Sequence, residues 1–365
     1  MNPDLFEGGA RLWDAGLRAV WQQYTAAGES LREQGRALAG QTPASVIYAE
    51  GRARVLHYHP LVEPPHPVPL LCIPSMINRY YVMDLTPERS LVRFLLRQGI
   101  DVYMLDWGTA TPVDRYRTLD EAIAGMLRRV VGAIRRASGQ PAVSLLGYCM
   151  GGMMAAVYSA LFPQDVAALV NLAGPINYHD DGIYSVWTRP EWFDADRLVD
   201  TLGNIPANVL NTTFHLVRPT DQLIQALNYW ERRDDPVFLR TFAALHLWLN
   251  DPTPFPGEIF RKYVKALYQQ NQLILGQFRI GERRIDLGTV AAPALTIAAR
   301  RDHIAPWGSV AVLHDLIASQ DKELIVLESG HIGMVVGSDA HAKLWPRLAG
   351  WLAARSGGDS SSPPT

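Results

Sequence analysis

The segment Gly147-Tyr148-Cys149-Met150-Gly151 constrains this chain more than any other. It follows the apolar run Ala142-Val143-Ser144-Leu145-Leu146 and leads into Gly152-Met153-Met154-Ala155-Ala156-Val157-Tyr158, which reads as a helix. A glycine on each side of one central residue, between a buried strand and a helix, is the pattern of a nucleophile-bearing turn. The glycines leave room for a turn so tight that the middle residue takes a strained backbone conformation. Its side chain then projects clear of the sheet, at the positive end of the following helix. Here the middle residue is Cys149, where serine is the commoner occupant of such turns.

The surrounding sequence supplies the sheet that such a turn requires. Short buried runs at 68–73, 102–106, 142–146 and 167–172 alternate with helical patterns at 89–98 and 119–137. After a long break the rhythm resumes with strands at 294–299 and 323–327 and a final helix near 341–354. Buried runs alternating with helices predict an α/β protein, doubly wound, with a mostly parallel sheet covered on both faces. The break, about 178–285, carries Trp187, Trp192, Trp230 and Trp248 and the cluster Asp251-Pro252-Thr253-Pro254-Phe255-Pro256, with little strand character. It reads as an inserted, mostly helical cap. The expected organisation is an N-terminal helical segment at 1–40, core at 41–177, the cap at 178–285, more core at 286–355, and a disordered tail at 356–365. In the first segment Trp13, Leu17, Val20, Trp21 and Tyr24 recur at helical spacing. That stripe packs on its own domain or is reserved for a partner subunit or an apolar surface.

Composition excludes several classes of function. The formal net charge is −2, so nothing suggests a nucleic-acid footprint. Two cysteines, Cys72 and Cys149, in a chain of 365 residues read as free thiols in a reducing, cytoplasmic setting rather than as a staple. No run approaches a membrane span, and the first residues lack the pattern of a signal peptide. The expectation is a soluble protein. The histidines show no metal-ligand spacing with the cysteines, so no metal is expected.

A thiol becomes an effective nucleophile at neutral pH when a base takes its proton. With this kind of turn the chain order is nucleophile, acid, histidine. Asp302, in Arg301-Asp302-His303-Ile304-Ala305-Pro306-Trp307, follows the strand at 294–299, and His331, in Gly330-His331-Ile332-Gly333, follows the strand at 323–327. Both therefore fall on the carboxyl edge of the sheet, where ligand crevices form. His303 is the rival base, and Asp180 and Asp181 are the alternative acids. Cys72 reads as a core residue inside its strand, and His57, His59 and His66 as structural. The oxyanion formed on attack would be met by the backbone N–H of Met150 and by that of Met76 or Ile77, with Ile77 preferred. A cysteine thioester stays activated, so passing its acyl group to an alcohol is downhill. Exchange with a coenzyme A thioester is nearly isoenergetic. Cysteine at this turn therefore favours acyl transfer over hydrolysis.

These motifs, together with Pro74-Ser75-Met76-Ile77-Asn78-Arg79-Tyr80-Tyr81-Val82-Met83-Asp84-Leu85 and Leu249-Asn250-Asp251, resemble the polyhydroxyalkanoate synthases over residues 45–353. The resemblance implies the α/β-hydrolase fold and polymerisation of (R)-3-hydroxyacyl-CoA, mainly (R)-3-hydroxybutyryl-CoA, into polyester with release of CoA. It implies nucleophile, acid and base at Cys149, Asp302 and His331, and no cofactor, CoA being carried by the substrate. Asp302 would also help activate the 3-hydroxyl of the acceptor. The chain's length resembles that of the class III catalytic subunit, and class IV subunits are similarly short. A second, non-catalytic subunit, a homodimer or larger assembly, and a place at the surface of cytoplasmic polyester granules are implied as well. Asn78 and Asp84 fall in the family-like loop as supporting residues. A thiol hydrolase of the dienelactone-hydrolase kind is the alternative.

Overall fold

The structure is a computed structural model. It describes residues 3–180 and 182–357, with side chains from residue 16 onward; Trp13 and Asp181 lie outside the described side chains. The chain opens with a long helix, α1 (Pro3–Leu38), and a hairpin of β1 (Ala44–Glu50) and β2 (Ala53–Tyr58). Then come β3 (Leu70–Ile73), α2 (Leu91–Arg97), β4 (Val102–Asp106), α3 (Arg128–Ser138), β5 (Val143–Tyr148), α4 (Met150–Leu161) and β6 (Val166–Leu172).

Helices dominate the next stretch: α5 (Ile183–Trp187), α6 (Ala195–Leu202), α7 (Ala207–Val217), α8 (Asp221–Arg232), α9 (Pro236–Leu249) and α10 (Gly257–Lys262). A two-residue-per-strand hairpin follows, β7 (Arg279–Ile280) with β8 (Arg283–Arg284). The chain closes with β9 (Ala294–Ala299), α11 (Trp307–Ala311), α12 (Leu313–Leu316), β10 (Lys322–Leu327), α13 (Gly333–Val336) and α14 (Trp345–Ala354).

Eight strands form one sheet in the order β1-β2-β4-β3-β5-β6-β9-β10. The β1–β2 and β2–β4 pairings are antiparallel and all the others are parallel. Every residue of β3, β4, β5 and β9 is buried, so these strands read as continuous apolar runs rather than alternating ones. Alternation still sorts the side chains by face. Leu71, Ile73, Leu105 and Leu145 pack with α3 and α4. Leu70, Cys72, Met104 and Leu146 point the other way, toward α2 and α14.

Three local readings change. The helix expected over 119–137 is a π-helical turn (Glu121–Leu127) followed by α3, ended by Gly139 at φ 70°. Hydrophobic periodicity does not distinguish these, because the same face stays buried through both. In α1, Val20, Tyr24 and Leu31 bury against α8 and α9, with Ala226 and Ala243, and Tyr24 Oη is 3.0 Å from His246 Nδ1. Leu17 and Trp21 remain exposed. At the other end, Ser356 is buried and donates to the Val68 carbonyl, whereas residues 358–365 lie outside the described residues.

Candidate active site

The turn after β5 is as tight as its glycines require. Cys149 adopts φ 57°, ψ −128°, a region that costs a non-glycine residue on the order of 1–3 kcal/mol. The turn is held by Cys149 N–H donating to the Leu172 carbonyl and Gly152 N–H donating to the Cys149 carbonyl. A Cβ on Gly147 would stand 2.2 Å from the Gly151 carbonyl oxygen, and one on Gly151 would stand 1.9 Å from that of Ile73. Larger residues at either position would push the turn off the sheet. Cys149 thus caps α4, whose N-terminal partial charge faces the sulfur.

Asp302 and His331 arrive from the ends of β9 and β10. One carboxylate oxygen of Asp302 accepts the backbone N–H groups of Ile304 and Ala305, both at 2.8 Å. The other lies 2.7 Å from His331 Nδ1. That contact leaves Nε2 unengaged, with Cys149 close enough to act on the imidazole. The Tyr148 ring lies 5.1 Å from the imidazole at 30° and limits its rotation. Burial alone would lower the pKa of His331. The Asp302 and Cys149 charges, with the hydrogen bonds from both, outweigh it and raise the value to about 10. The raised value favours the imidazolium beside the Asp302 carboxylate.

The loop after β3 carries Met76 and Ile77, the candidates for the second oxyanion donor. Ile77 N–H has only a long contact, 3.5 Å, to Ser75 Oγ, so a better acceptor could claim it. The loop's carbonyls are held much more firmly. Trp107 Nε1 donates to Pro74 O, Thr253 Oγ1 to Met76 O, Thr253 N–H to Ile77 O, and Trp248 Nε1 to Arg79 O. Thr253 is 1% exposed, and removing its hydroxyl would leave a buried carbonyl unpaired at a cost of about 1–3 kcal/mol. Thr253→Val is expected to lower kcat about tenfold with KM little changed, measured by steady-state CoA release. An unchanged kcat would show that the loop keeps its aim without Thr253.

Two cavities meet at this centre. One, of about 320 Å³, contains Cys149 and is lined by apolar and aromatic side chains such as Phe193, Leu210, Phe255 and Tyr268. The other, of about 300 Å³, contains His331 and has a mixed wall, with Asn78, His215, Arg218, Arg301 and His303 beside Trp248 and Leu249, and Arg218 ion-paired to Asp221. Phe214 and Ile304 belong to both walls.

The other candidates go elsewhere. Cys72 is buried inside β3, and both cysteines are free. His303 is exposed in the wall of the cavity that contains His331. Asp180 accepts the Gly182 N–H at 2.7 Å. Asp84 is buried and accepts Thr42 N–H, Thr42 Oγ1 and Ser90 Oγ, tying the chain after α1 to the start of α2. His57 pairs with Asp101 and stacks on Tyr103, and His59 contacts Ser45. Among the described residues no three His, Cys, Asp or Glu side chains gather as metal ligands would. No helix there is long and apolar enough to cross a membrane. Sequence reading missed Thr253, the ring contact of Tyr148, and the cavity residue Tyr184. Thr253 lay in view within the proline cluster, but its partners are 176 or more positions away.

Residues 68–338 match the family described as alpha/beta hydrolase fold, and residues 10–95 match the poly-beta-hydroxybutyrate polymerase (PhaC) N-terminus. A poly(3-hydroxyalkanoate) polymerase subunit PhaC of Allochromatium vinosum is 35% identical, over 87% of this chain and 90% of the relative. Its namesake in Haloferax mediterranei is 34% identical, over 95% of this chain and 70% of the relative. Among solved structures, the monoacylglycerol lipase of Paleococcus ferrophilus superposes with a TM-score of 0.53 at 12% identity, over 84% of this chain and all of the lipase. That likeness speaks for the fold alone.

Proposed function

The chain belongs to the poly(3-hydroxyalkanoate) polymerase family, and from that premise we propose that it condenses (R)-3-hydroxyacyl-CoA, chiefly (R)-3-hydroxybutyryl-CoA, into polyester through an acyl group held on Cys149. The observation that carries this reading is a strained cysteine beside a buried His331–Asp302 pair, where an apolar cavity meets one with arginine and histidine side chains in its wall. A CoA thioester has the same division, with an acyl group on one side of the sulfur and an anionic head on the other.

The cycle follows from the charges. The Cys149 thiolate attacks the thioester carbonyl, and the oxyanion draws on the N–H groups of Met150 and Ile77. The C–S bond to CoA breaks, and the departing thiolate takes the proton from His331. Acylation removes the negative charge from Cys149, and with it part of what keeps His331 protonated. The neutral imidazole, oriented by Asp302, is then a base for the 3-hydroxyl of an acceptor chain. That oxygen attacks the Cys149 thioester, the ester forms, and thiolate and imidazolium return. The net change is thioester plus alcohol to ester plus CoA thiol.

In this reading the CoA phosphates lie toward Arg218 and Arg301. Arg301→Ala is expected to raise KM for the CoA thioester about five- to tenfold, the scale of one charge-assisted hydrogen bond, with kcat little altered. A fall in kcat at constant KM would move the CoA head elsewhere. The second, non-catalytic subunit, the homodimer or larger assembly, and residence at the granule surface belong to the same proposal. Incubation with (R)-3-hydroxybutyryl-CoA is the decisive test. Insoluble polyester with stoichiometric CoA supports the proposal, whereas free 3-hydroxybutyrate as the sole acyl product identifies a thiol hydrolase instead.

A further inference from the structure

Residues 74–79, which include Met76 and Ile77, form neither helix nor strand, so side-chain bonds fix their course. From the sheet side, Trp107 Nε1 donates to Pro74 O and Arg79 Nη1 to Thr109 Oγ1. From the cap side the loop is gripped by Trp248, Asp251 and Thr253, at the end of α9 and just past it. The Asp251 carboxylate takes Arg79 in a fork, with Nε donating to Oδ2 at 3.0 Å and Nη2 to Oδ1 at 3.1 Å. Tyr81 Oη donates to Oδ2 as well, at 2.9 Å. Asp251 is itself anchored at the helix end, where its N–H donates to the Trp248 carbonyl and the Asn250 side chain to that of His246.

The placement of these bonds matters more than their strength. An isolated ion pair as exposed as this one, 24% for Arg79 and 36% for Asp251, would hold little, but a two-pronged pair within a network fixes geometry. Thr253 grips Ile77, and Asp251 grips Arg79 two residues further on. A loop tied at one point can swivel about it, whereas a loop tied at two spaced points cannot. Neither Arg79 nor Asp251 lines the cavity of Cys149 or that of His331, so their contribution there is made through the loop.

We propose that Asp251 is a positioning residue for acylation: through Arg79 it stops the loop from turning about its Thr253 bonds, and so keeps the Ile77 N–H aimed at the oxyanion. This rests on the acyl-transfer reading given above. A donor displaced by about 1 Å loses much of its hold on the developing charge.

The test compares two reactions of Cys149 in wild type, Asp251→Ala, Arg79→Ala and the double variant. First-turnover CoA release from (R)-3-hydroxybutyryl-CoA passes through an oxyanion and needs its donors. Alkylation by iodoacetamide displaces iodide from a saturated carbon and forms no oxyanion; Cys149→Ala is its blank, since Cys72 is buried. CoA release is expected to fall about tenfold in all three variants, with alkylation within twofold of wild type. The double variant should be no slower than either single one, because each removes the same contact. CoA release within twofold of wild type in Asp251→Ala overturns the proposal and leaves the polymerase reading intact. So does alkylation that falls in step with CoA release, or a double variant in which the two losses multiply. Where thermal unfolding shows that Asp251→Ala does not fold, Asp251→Asn is judged by the same outcomes. Wild-type protein that releases no CoA overturns the polymerase reading, and this one with it.

Discussion

Cys149→Ala should reduce CoA release from (R)-3-hydroxybutyryl-CoA to background, a loss on the order of 10⁴-fold or more, because removing the nucleophile of a concerted group abolishes nearly all that the group contributes. The alanine variant keeps the turn, the cavities and the Asp302–His331 contact, so its thermal midpoint should not fall with its activity. Cys149→Ser is the more informative companion. It leaves an oxygen at the end of the same strained turn, but the acyl-enzyme it forms is an ester. Transfer from that ester to a 3-hydroxyl exchanges one ester for another and loses the downhill step of a thioester. Polymer should therefore disappear from Cys149→Ser even where slow acylation persists, read as CoA released without insoluble product. Polymer made at a wild-type rate by either variant would remove Cys149 from the mechanism.

His331→Gln should lower turnover on the order of 10³-fold or more, since it removes both the proton donor for departing CoA and the base for the acceptor hydroxyl. The sign of its pH dependence follows from the raised pKa. The ion pair of the imidazolium with Asp302 contributes its full stability below the ordinary histidine value of about 6.5 and loses it as pH rises through about 10. Steady-state CoA release by the wild type is then expected to fall as pH rises through about 10, as the proton donor is lost. In His331→Gln that descending limb should be absent. Identical profiles for the two proteins would show that His331 is not the titrating group. Asp302→Asn should resemble His331→Gln in turnover, because the imidazolium loses the larger of its two charged partners.

Much of the sheet could be read in advance for a simple reason. Strands buried on both faces must be nearly all apolar, and that marks β3, β4, β5 and β9 against any background. The π-helical turn before α3 was hidden because it preserves the buried face while changing the backbone. In the loop after β3, sequence leaves Met76 and Ile77 as equal neighbours. Thr253 ties down the carbonyls of both, and Ser75 leaves the Ile77 N–H only weakly occupied. Asp84, a supporting residue by its place in the motif, instead spends its carboxylate on Thr42 and Ser90.

By itself the sequence placed a candidate nucleophile in a tight turn and, after it, a candidate acid and base at strand ends. Those facts are local: a strained turn depends on the glycines two residues either side, and an edge position depends on the strand just before it. Only the tertiary structure decided that His331 would be buried against Asp302 with its pKa raised, and that two chambers of different lining would meet at the dyad. It alone brought Asp251 onto Arg79, in the loop of the candidate oxyanion donors. Each of these depends on burial and on contacts between segments tens to hundreds of residues apart, where dielectric and geometry, rather than residue type, fix the chemistry.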